Sequence, residues 1–413
     1  MGFVKDEMKK KKKIVCFHLF NDYSGSPKVL KVVLEGLLQR GCEVDLVTSR
    51  GGVLDKITDN RLQITHFVRD FYSARHNEQA PSALANRKNI QIADNSQFST
   101  LNSQLRYRYY NYKFSENKLV TALRYVWVQM YTFFLALGYW RDRDVVFYVN
   151  TILPVGPAVA GWLMRKRVVY HYHENAMVKS GLYRALAWVM QRVATEIVCV
   201  SEYQRSFLKR EKNVVVVPNA LPEEFVERAV VDGVGAFERK RVLMLGSLKE
   251  YKGTNEFVKL ARRLGQYEFV LVLNEEQENV DRYFGALECT DNLKVYARQA
   301  DVVPFYKGAS VVLNLSDKNR FIETFGLTAL EAMVFGLPVV VPTVGGIAEM
   351  VEDGVNGWKI DVQELDVIAM RIEEMLSDME LYVRLSEGAV EQAKRYSARE
   401  MIDRMNEELG MRS

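Results

Sequence analysis

Residues 309–341 constrain this chain most. Ala309 to Leu315 is an apolar, β-branched run that reads as a buried strand, and Leu337-Pro-Val-Val-Val reads as the next one. One short helix lies between them. Thr324 is expected as its N-cap, Gly336 suits the left-handed position after it, and Pro338 prevents its continuation. A strand–loop–helix–strand unit belongs to a parallel α/β sheet. Glu323 then lies beyond the C-terminal end of a strand and just ahead of a helix N-terminus, where ligands of open α/β sheets bind. Glu331 follows about two turns into the helix, which at ~1.5 Å per residue separates the two carboxylates by roughly 10–12 Å. They are too far apart to share a proton as an acid–base dyad. They can hold two ends of one long polar ligand, with the amides of Phe325 and Gly326 toward anything negative between them.

The 413 residues are too many for one ordinary core, so two domains are expected. A net charge of +4 over this length does not indicate a nucleic-acid partner. Cys16, Cys42, Cys199 and Cys289 show no paired spacing and read as reduced thiols of a cytoplasmic protein. Lys9 to Lys13 resemble the basic start of a signal peptide, but the apolar run Ile14 to Phe20 contains His18 and ends at Asn21-Asp22 without a small-residue cleavage site. That run is read as the first strand and residues 1–13 as a solvated basic tail, with attraction to an anionic lipid surface as the alternative.

After that strand come Gly25-Ser26-Pro27, a helical pattern from Val29 to Leu38, Gly41, and a strand from Glu43 to Thr48: a Rossmann-like opening without the full dinucleotide fingerprint. Ser26 is the expected N-cap and Pro27 the expected first helical residue. Residues 70–118 read as a polar insertion whose aromatics, Tyr107 to Phe114, pack on one another, with stacking on sugar rings as the alternative. Leu119 to Trp140 carries one charge, Arg124, and is long enough to cross a bilayer. Gln129, Thr132 and several tyrosines favour a buried or interfacial helix instead. The strand Arg167 to His171 delivers His171 and His173. These two are read as pointing to opposite faces, so no shared metal is expected.

Further strands are expected at 196–200, 214–217, 241–246, 269–273 and 293–296, and Ser397-Ala-Arg-Glu400 is a capping box opening the last helix.

The stretch from Val311 to about Ile360 contains Glu323-x7-Glu331 within Phe-Gly-Leu-x-x-Leu-Glu-Ala-Met, then Gly-Leu-Pro-Val-Val, Thr343-Val-Gly345-Gly346-Ile-Ala-Glu349 and Asp353-Gly-Val-Asn-Gly-Trp358. It resembles the donor-binding half of the retaining glycosyltransferases of family 4, group 1 enzymes of GT-B fold. The resemblance implies an α/β chain of two Rossmann-like domains facing across a cleft. Residues 14–220 form the acceptor side, ending at Pro218-Asn219-Ala220, which resembles the family's Pro-Asn-Gly. Residues 221–240 link it to a nucleotide-sugar domain at 241–390, and a C-terminal helix at 391–413 returns to brace the first domain.

The resemblance also implies the chemistry: transfer of a sugar from a nucleotide-diphosphate sugar to a glycan or lipid-linked glycan, with retention at the anomeric carbon. No metal and no cofactor is implied. Glu323, His173 and Lys252 are the implied catalytic residues. Gly25, Ser26, Ser247, Lys249, Lys252, Glu323, Phe325, Gly326, Leu327, Glu331, Gly345 and Gly346 are the implied donor-binding residues. Three departures stand out. Ser247 occupies the position of the family's phosphate-binding Arg, Gly25-Ser26 stands where many members have Gly-Gly, and the loop Ser316 to Ile322 is a few residues longer than usual. Asp142-Arg-Asp144 resembles the metal-holding Asp-x-Asp of the other large glycosyltransferase fold, but it precedes a strand and is read as a turn. The rival readings are another GT-B enzyme, an epimerase or phosphorylase, and a non-catalytic carbohydrate- or membrane-surface-binding protein.

Overall fold

The computed structural model describes residues 13–57, 104–113, 115, 117–176, 181–285 and 287–411. Lys9 to Lys12, most of the polar insertion (70–103, 114 and 116) and Ser180 lie outside the described residues. Thirteen strands are seen among those residues: β1 Lys13–His18, β2 Glu43–Thr48, β3 Leu105–Tyr109, β4 Val145–Asn150, β5 Arg167–Tyr172, β6 Glu196–Cys199, β7 Val214–Val216, β8 Arg241–Gly246, β9 Glu268–Leu273, β10 Leu293–Tyr296, β11 Val311–Leu313, β12 Val339–Val341 and β13 Gly357–Lys359. They build two sheets, of order β3-β2-β1-β4-β5-β6-β7 and β10-β9-β8-β11-β12-β13.

Both sheets wind outward in both directions from their first strand. The order reverses between β1 and β4 in one and between β8 and β11 in the other, the arrangement of a doubly wound Rossmann sheet. Neighbouring strands run parallel, with Lys13 opposite both Glu43 and Val145 in the first sheet and Leu313 opposite both Met244 and Val340 in the second. Parallel sheets are covered on both faces, which is why their strands read as continuous apolar runs. Phe269, Leu271, Val311, Leu313 and Val339 are all buried in one core with Phe257, Ala332, Ile368 and Ile372 from the covering helices.

The chain forms two compact units: Met1–Tyr170 with Arg192–Thr195 and Asn406–Ser413, and His171–Gln191 with Glu196–Met405. The chain end at Asn406–Ser413 thus belongs with the first unit, where Arg167 Nη2 donates to Glu408 O at 2.8 Å. The last helix, Ala398–Glu408, is capped by Ser397, whose Oγ accepts from Glu400 N as its sequence predicts.

Several expectations need correction. Lys13 is the first residue of β1 and not tail, its ammonium 3.2 Å from the buried Asp45. The first helix runs Gly25–Gln39 with Ser24 as N-cap, so Ser26 and Pro27 fall inside its first turn. Asp22 Oδ1 accepts from both Ser24 N–H and Ser24 Oγ, which fixes the earlier start. Part of the polar insertion is a strand: β3 pairs with β2, and Tyr107 stacks on Tyr109 at 5.2 Å. The apolar helix, Lys118–Leu137, is not buried; Val128, Thr132 and Ala136 are its buried residues. Asp142 and Asp144 lie in an exposed turn, where Asp142 N donates to Tyr139 O, as read from the sequence.

Candidate functional site

The β8/β11 reversal gathers the residues that carry chemistry. The connection after β8 descends through Ser247 and Lys249 to a 3-10 turn, Glu250–Lys252. The connection after β11 presents Asn314 and Ser316, then Glu323, before the helix Leu327–Val334. Across the reversal Lys252 Nζ lies 2.5 Å from Glu323 Oε1. Ser316 Oγ donates to the same oxygen at 3.0 Å and Asn314 Nδ2 approaches it at 3.4 Å. All of these donors converge on Oε1, and among the described residues Glu323 Oε2 accepts no hydrogen bond.

Less than a fifth of either side chain is exposed. Burial pushes the Glu323 carboxyl up, but the Lys252 charge and the bonds from Lys252, Asn314 and Ser316 outweigh it and hold the carboxyl below its ordinary value. Glu323 is therefore a preformed carboxylate with one oxygen secured and the other open to a ligand hydroxyl. Lys252 also lies 3.9 Å from the Phe321 ring centroid, and Phe321 stacks on Tyr251. The pair is thus floored by aromatic rings.

The helix behind Glu323 does not start at Thr324. Gly326 is its N-cap, at φ +95°, a conformation that L side chains rarely adopt. A Cβ there would also lie 2.5 Å from Ile347 Cγ1. Thr324 Oγ1 instead donates to His173 O at 2.7 Å. Ala329 and Leu330 N–H donate to Gly326 O, and the N–H groups of Leu327 and Thr328 precede these first bonds, so the helix start favours negative charge. Glu331, little more than one turn into this helix because it starts later than expected, is nearly buried, and Tyr306 OH donates to its Oε2 at 2.5 Å. Burial, then the Glu331 charge, keep Tyr306 protonated far above neutral pH, so that hydrogen bond persists.

Gly345 and Gly346 pass close to this loop. Gly346 N–H donates to Glu323 O at 2.9 Å, and a Cβ on Gly346 would meet Thr324 O at 1.9 Å. Here the sequence needs glycine because one backbone lies against another. After Gly346 the chain forms a 3-10 turn, Gly346–Met350. Two cavities, of about 490 and 480 Å³, open beside these glycines and share Glu349; Lys252 and Glu323 line neither.

His173 follows β5 with its ring centroid 4.1 Å from that of His171, so the expectation of opposite faces is wrong. Side chains at i and i+2 of an extended chain share a face. His171 is fully buried, and burial lowers its pKa to about 3, so it is neutral at physiological pH. Among the described residues no three His, Cys, Asp or Glu side chains cluster as metal ligands.

Gly25 and Ser26 open the first helix, which belongs to the other compact unit. Ser247 O accepts from Lys249 N at 2.7 Å, and the Lys249 side chain is exposed. The sequence reading missed three contributors. Asn314 and Ser316 hold Glu323, and their signal was two polar residues directly after an apolar strand. Lys318 bridges Asp361 at 2.7 Å and Thr343 at 3.3 Å, which ties down the long loop 316–322. In the first sheet, His18 Nδ1 and Asn150 Nδ2 lie 3.0 Å apart at the β1/β4 reversal, both buried; burial lowers the His18 pKa to about 4.

Comparison with known proteins agrees with this architecture. Residues 234–392 match the family described as Glycosyl transferases group 1. The chain is similar to the D-inositol 3-phosphate glycosyltransferase of Corynebacterium urealyticum, 36% identical over 97 residues, 24% of this chain and 22% of that protein. It is also similar to the lipopolysaccharide core biosynthesis glycosyltransferase LpsE of Rhizobium meliloti, 28% identical over 162 residues, 39% of this chain and 46% of that one. The matched segments therefore span less than half of these relatives. Among solved structures, Anabaena HepE in complex with UDP and glucose matches with a TM-score of 0.69 and 18% identity, covering 97% of this chain and 99% of that one. The fold is GT-B, and residues 234–392 are similar to the glycosyl transferases group 1 family.

Proposed function

We propose that this chain is a glycosyltransferase that takes a nucleotide-diphosphate sugar as co-substrate and transfers its sugar, with retention and without a metal, to a glycan or lipid-linked glycan in the cytoplasm. The observation that carries the reading is the Lys252–Glu323 pair across the β8/β11 reversal, with Glu323 Oε2 open and a helix start directly behind it. Such a reversal is where open α/β sheets bind nucleotides. Cys16, Cys199 and Cys289 are free thiols, which supports a reducing compartment.

In this reading Glu331, held by Tyr306, accepts hydrogen bonds from the ribose hydroxyls. Lys252, the Gly345-Gly346 turn and the amides of Phe325, Gly326 and Leu327 meet the diphosphate and sugar. His173 faces the sugar. The bond from the anomeric carbon to the diphosphate oxygen breaks, and its electron pair leaves with the nucleotide. The acceptor hydroxyl forms the new bond on the same face and passes its proton to the leaving phosphate. Charge grows on the diphosphate as the bond breaks, so Lys252 acts on the transition state more than on the bound donor.

The test is nucleotide release from a panel of nucleotide sugars by the full chain in chelator. Release from at least one donor, abolished by Glu323→Gln, is expected. Binding of nucleoside diphosphates without release from any donor, with or without added divalent metal, overturns transfer as the function.

A further inference from the structure

The helix Lys118–Leu137 turns its apolar face the wrong way for a protein surrounded by water. Leu119, Leu123, Val126, Trp127, Met130 and Phe134 are each 54–67% exposed. At ~100° per residue these six fall within about 100° of the helix circumference. The buried stripe, Val128, Thr132 and Ala136, lies on the opposite side. Together the six expose on the order of 700 Å² of side chain, above the largest apolar patch of an ordinary monomer. The helix packed against it, Val155–Leu163, ends in two more exposed apolar residues, Trp162 and Leu163.

The surroundings of this face are basic. No acidic residue occurs between 117 and 141, and residues 113–166 hold seven Lys or Arg against three Asp or Glu. Lys113, Lys118 and Arg124 flank the start of the helix, and Arg141 and Arg143 follow its end, all exposed. Exposed Trp140 lies under the Arg141 guanidinium at 4.9 Å, and Trp127 stacks on Tyr131. Rings with an apolar body and a polar edge, next to cations, suit the boundary between lipid headgroups and acyl chains.

We propose that this face docks the protein on an anionic lipid bilayer, with the helix lying in the plane of the interface. Two other occupants fit less well. A membrane span would need lipid on all sides, but Gln129 Oε1 accepts from Gly156 N at 2.9 Å and Tyr125 OH donates to Leu153 O at 2.9 Å, which fixes one side of the helix to protein. A second copy docked face to face would oppose two basic rims. The inference does not depend on the sugar chemistry, and its readout involves no donor.

The test is flotation of the full chain with vesicles of phosphatidylcholine alone or with about one-third phosphatidylglycerol, where each surface cation adds attraction to anionic lipid. Binding to the anionic vesicles, extractable by alkaline carbonate, is expected. The double variant Leu123→Glu with Phe134→Glu should lower the bound fraction at least tenfold with an unchanged thermal melt, because both side chains point away from the core. Arg141→Gln with Arg143→Gln should weaken binding to anionic vesicles several-fold and leave the melt unchanged. The proposal is overturned if the wild type stays with the soluble fraction at low salt, or if the Leu123/Phe134 variant binds as well as the wild type. Resistance to carbonate overturns it in favour of a span. Conversion of a dimer to a monomer by that variant, with neither form binding vesicles, overturns it in favour of a second copy.

Discussion

Replacing Lys252 by alanine perturbs the site in a way the structure makes quantitative. The ammonium lies 2.5 Å from Glu323 Oε1, and the two side chains are 18% and 16% exposed. Removing one partner of a well-buried pair costs about 3–5 kcal/mol, and the bonds from Ser316 and Asn314 that remain reduce the expected loss of stability to about 2 kcal/mol. The loss has a pH signature. A carboxylate held below its ordinary value contributes stability above its unfolded pKa, ~4.3 for Glu, and loses it as pH falls through the folded value. The gap between wild type and variant in urea unfolding is therefore full at pH 7 and closes below about pH 4. The catalytic effect is separate: losing one preorganised cation at a developing oxyanion should lower kcat by about 10²–10³, with a smaller change in KM. Stopped-time nucleotide release on the folded variant measures it. Turnover within tenfold of wild type, with the stability loss present, would show that Lys252 is a structural counter-ion and that the diphosphate lies elsewhere.

Further outcomes follow from the same geometry. Glu331→Gln should weaken nucleoside diphosphate binding by about 1.5–3 kcal/mol, the scale of a hydrogen bond to a charged group, and calorimetry showing unchanged affinity removes Glu331 from the ribose. Lys249→Ala should reduce turnover less than Lys252→Ala, since Lys249 is exposed, and Ser247→Arg should recover part of the activity lost in Lys252→Ala; equal losses for the two lysines would identify Lys249 as the substitute cation. His18 and His171, lowered by burial to about 4 and about 3, take up protons only on unfolding between those values and about 6.5, so stability should fall as pH drops through that window. His171→Gln should flatten that fall, and an unchanged slope would contradict a neutral buried imidazole.

The β-strands were legible because β8, β9 and β11 are apolar runs ended by Gly or polar residues, and a doubly covered parallel sheet requires such runs. Helix starts were less so. Ser24, Gly25 and Ser26 are all acceptable near a helix start, and only the Asp22 carboxylate distinguishes them. Thr324 looks like a cap, but the chain reverses through positive φ at Gly326 and Thr324 is drawn to His173 O. β3 was hidden because Leu-Arg-Tyr-Arg-Tyr is an edge strand with polar residues and one neighbour. The helix after it turns Tyr125, Gln129 and Thr132 toward protein and its large apolar residues outward, the reverse of the usual amphipathic pattern, so periodicity could not tell its covered face from its open one. At the site, Glu323 and Glu331 could be placed from their spacing. The pairing of Lys252 with Glu323 joins residues 71 apart and depends on the β8/β11 adjacency, which no local pattern encodes.

The central claim is that a nucleotide-diphosphate group binds at the β8/β11 reversal of the second sheet. Amide hydrogen exchange of the full chain, with and without a saturating nucleoside diphosphate, tests it most directly. The account predicts new protection in 247–254, 323–332 and 343–350. Protection confined to other segments, with these three unchanged at saturation, would contradict it.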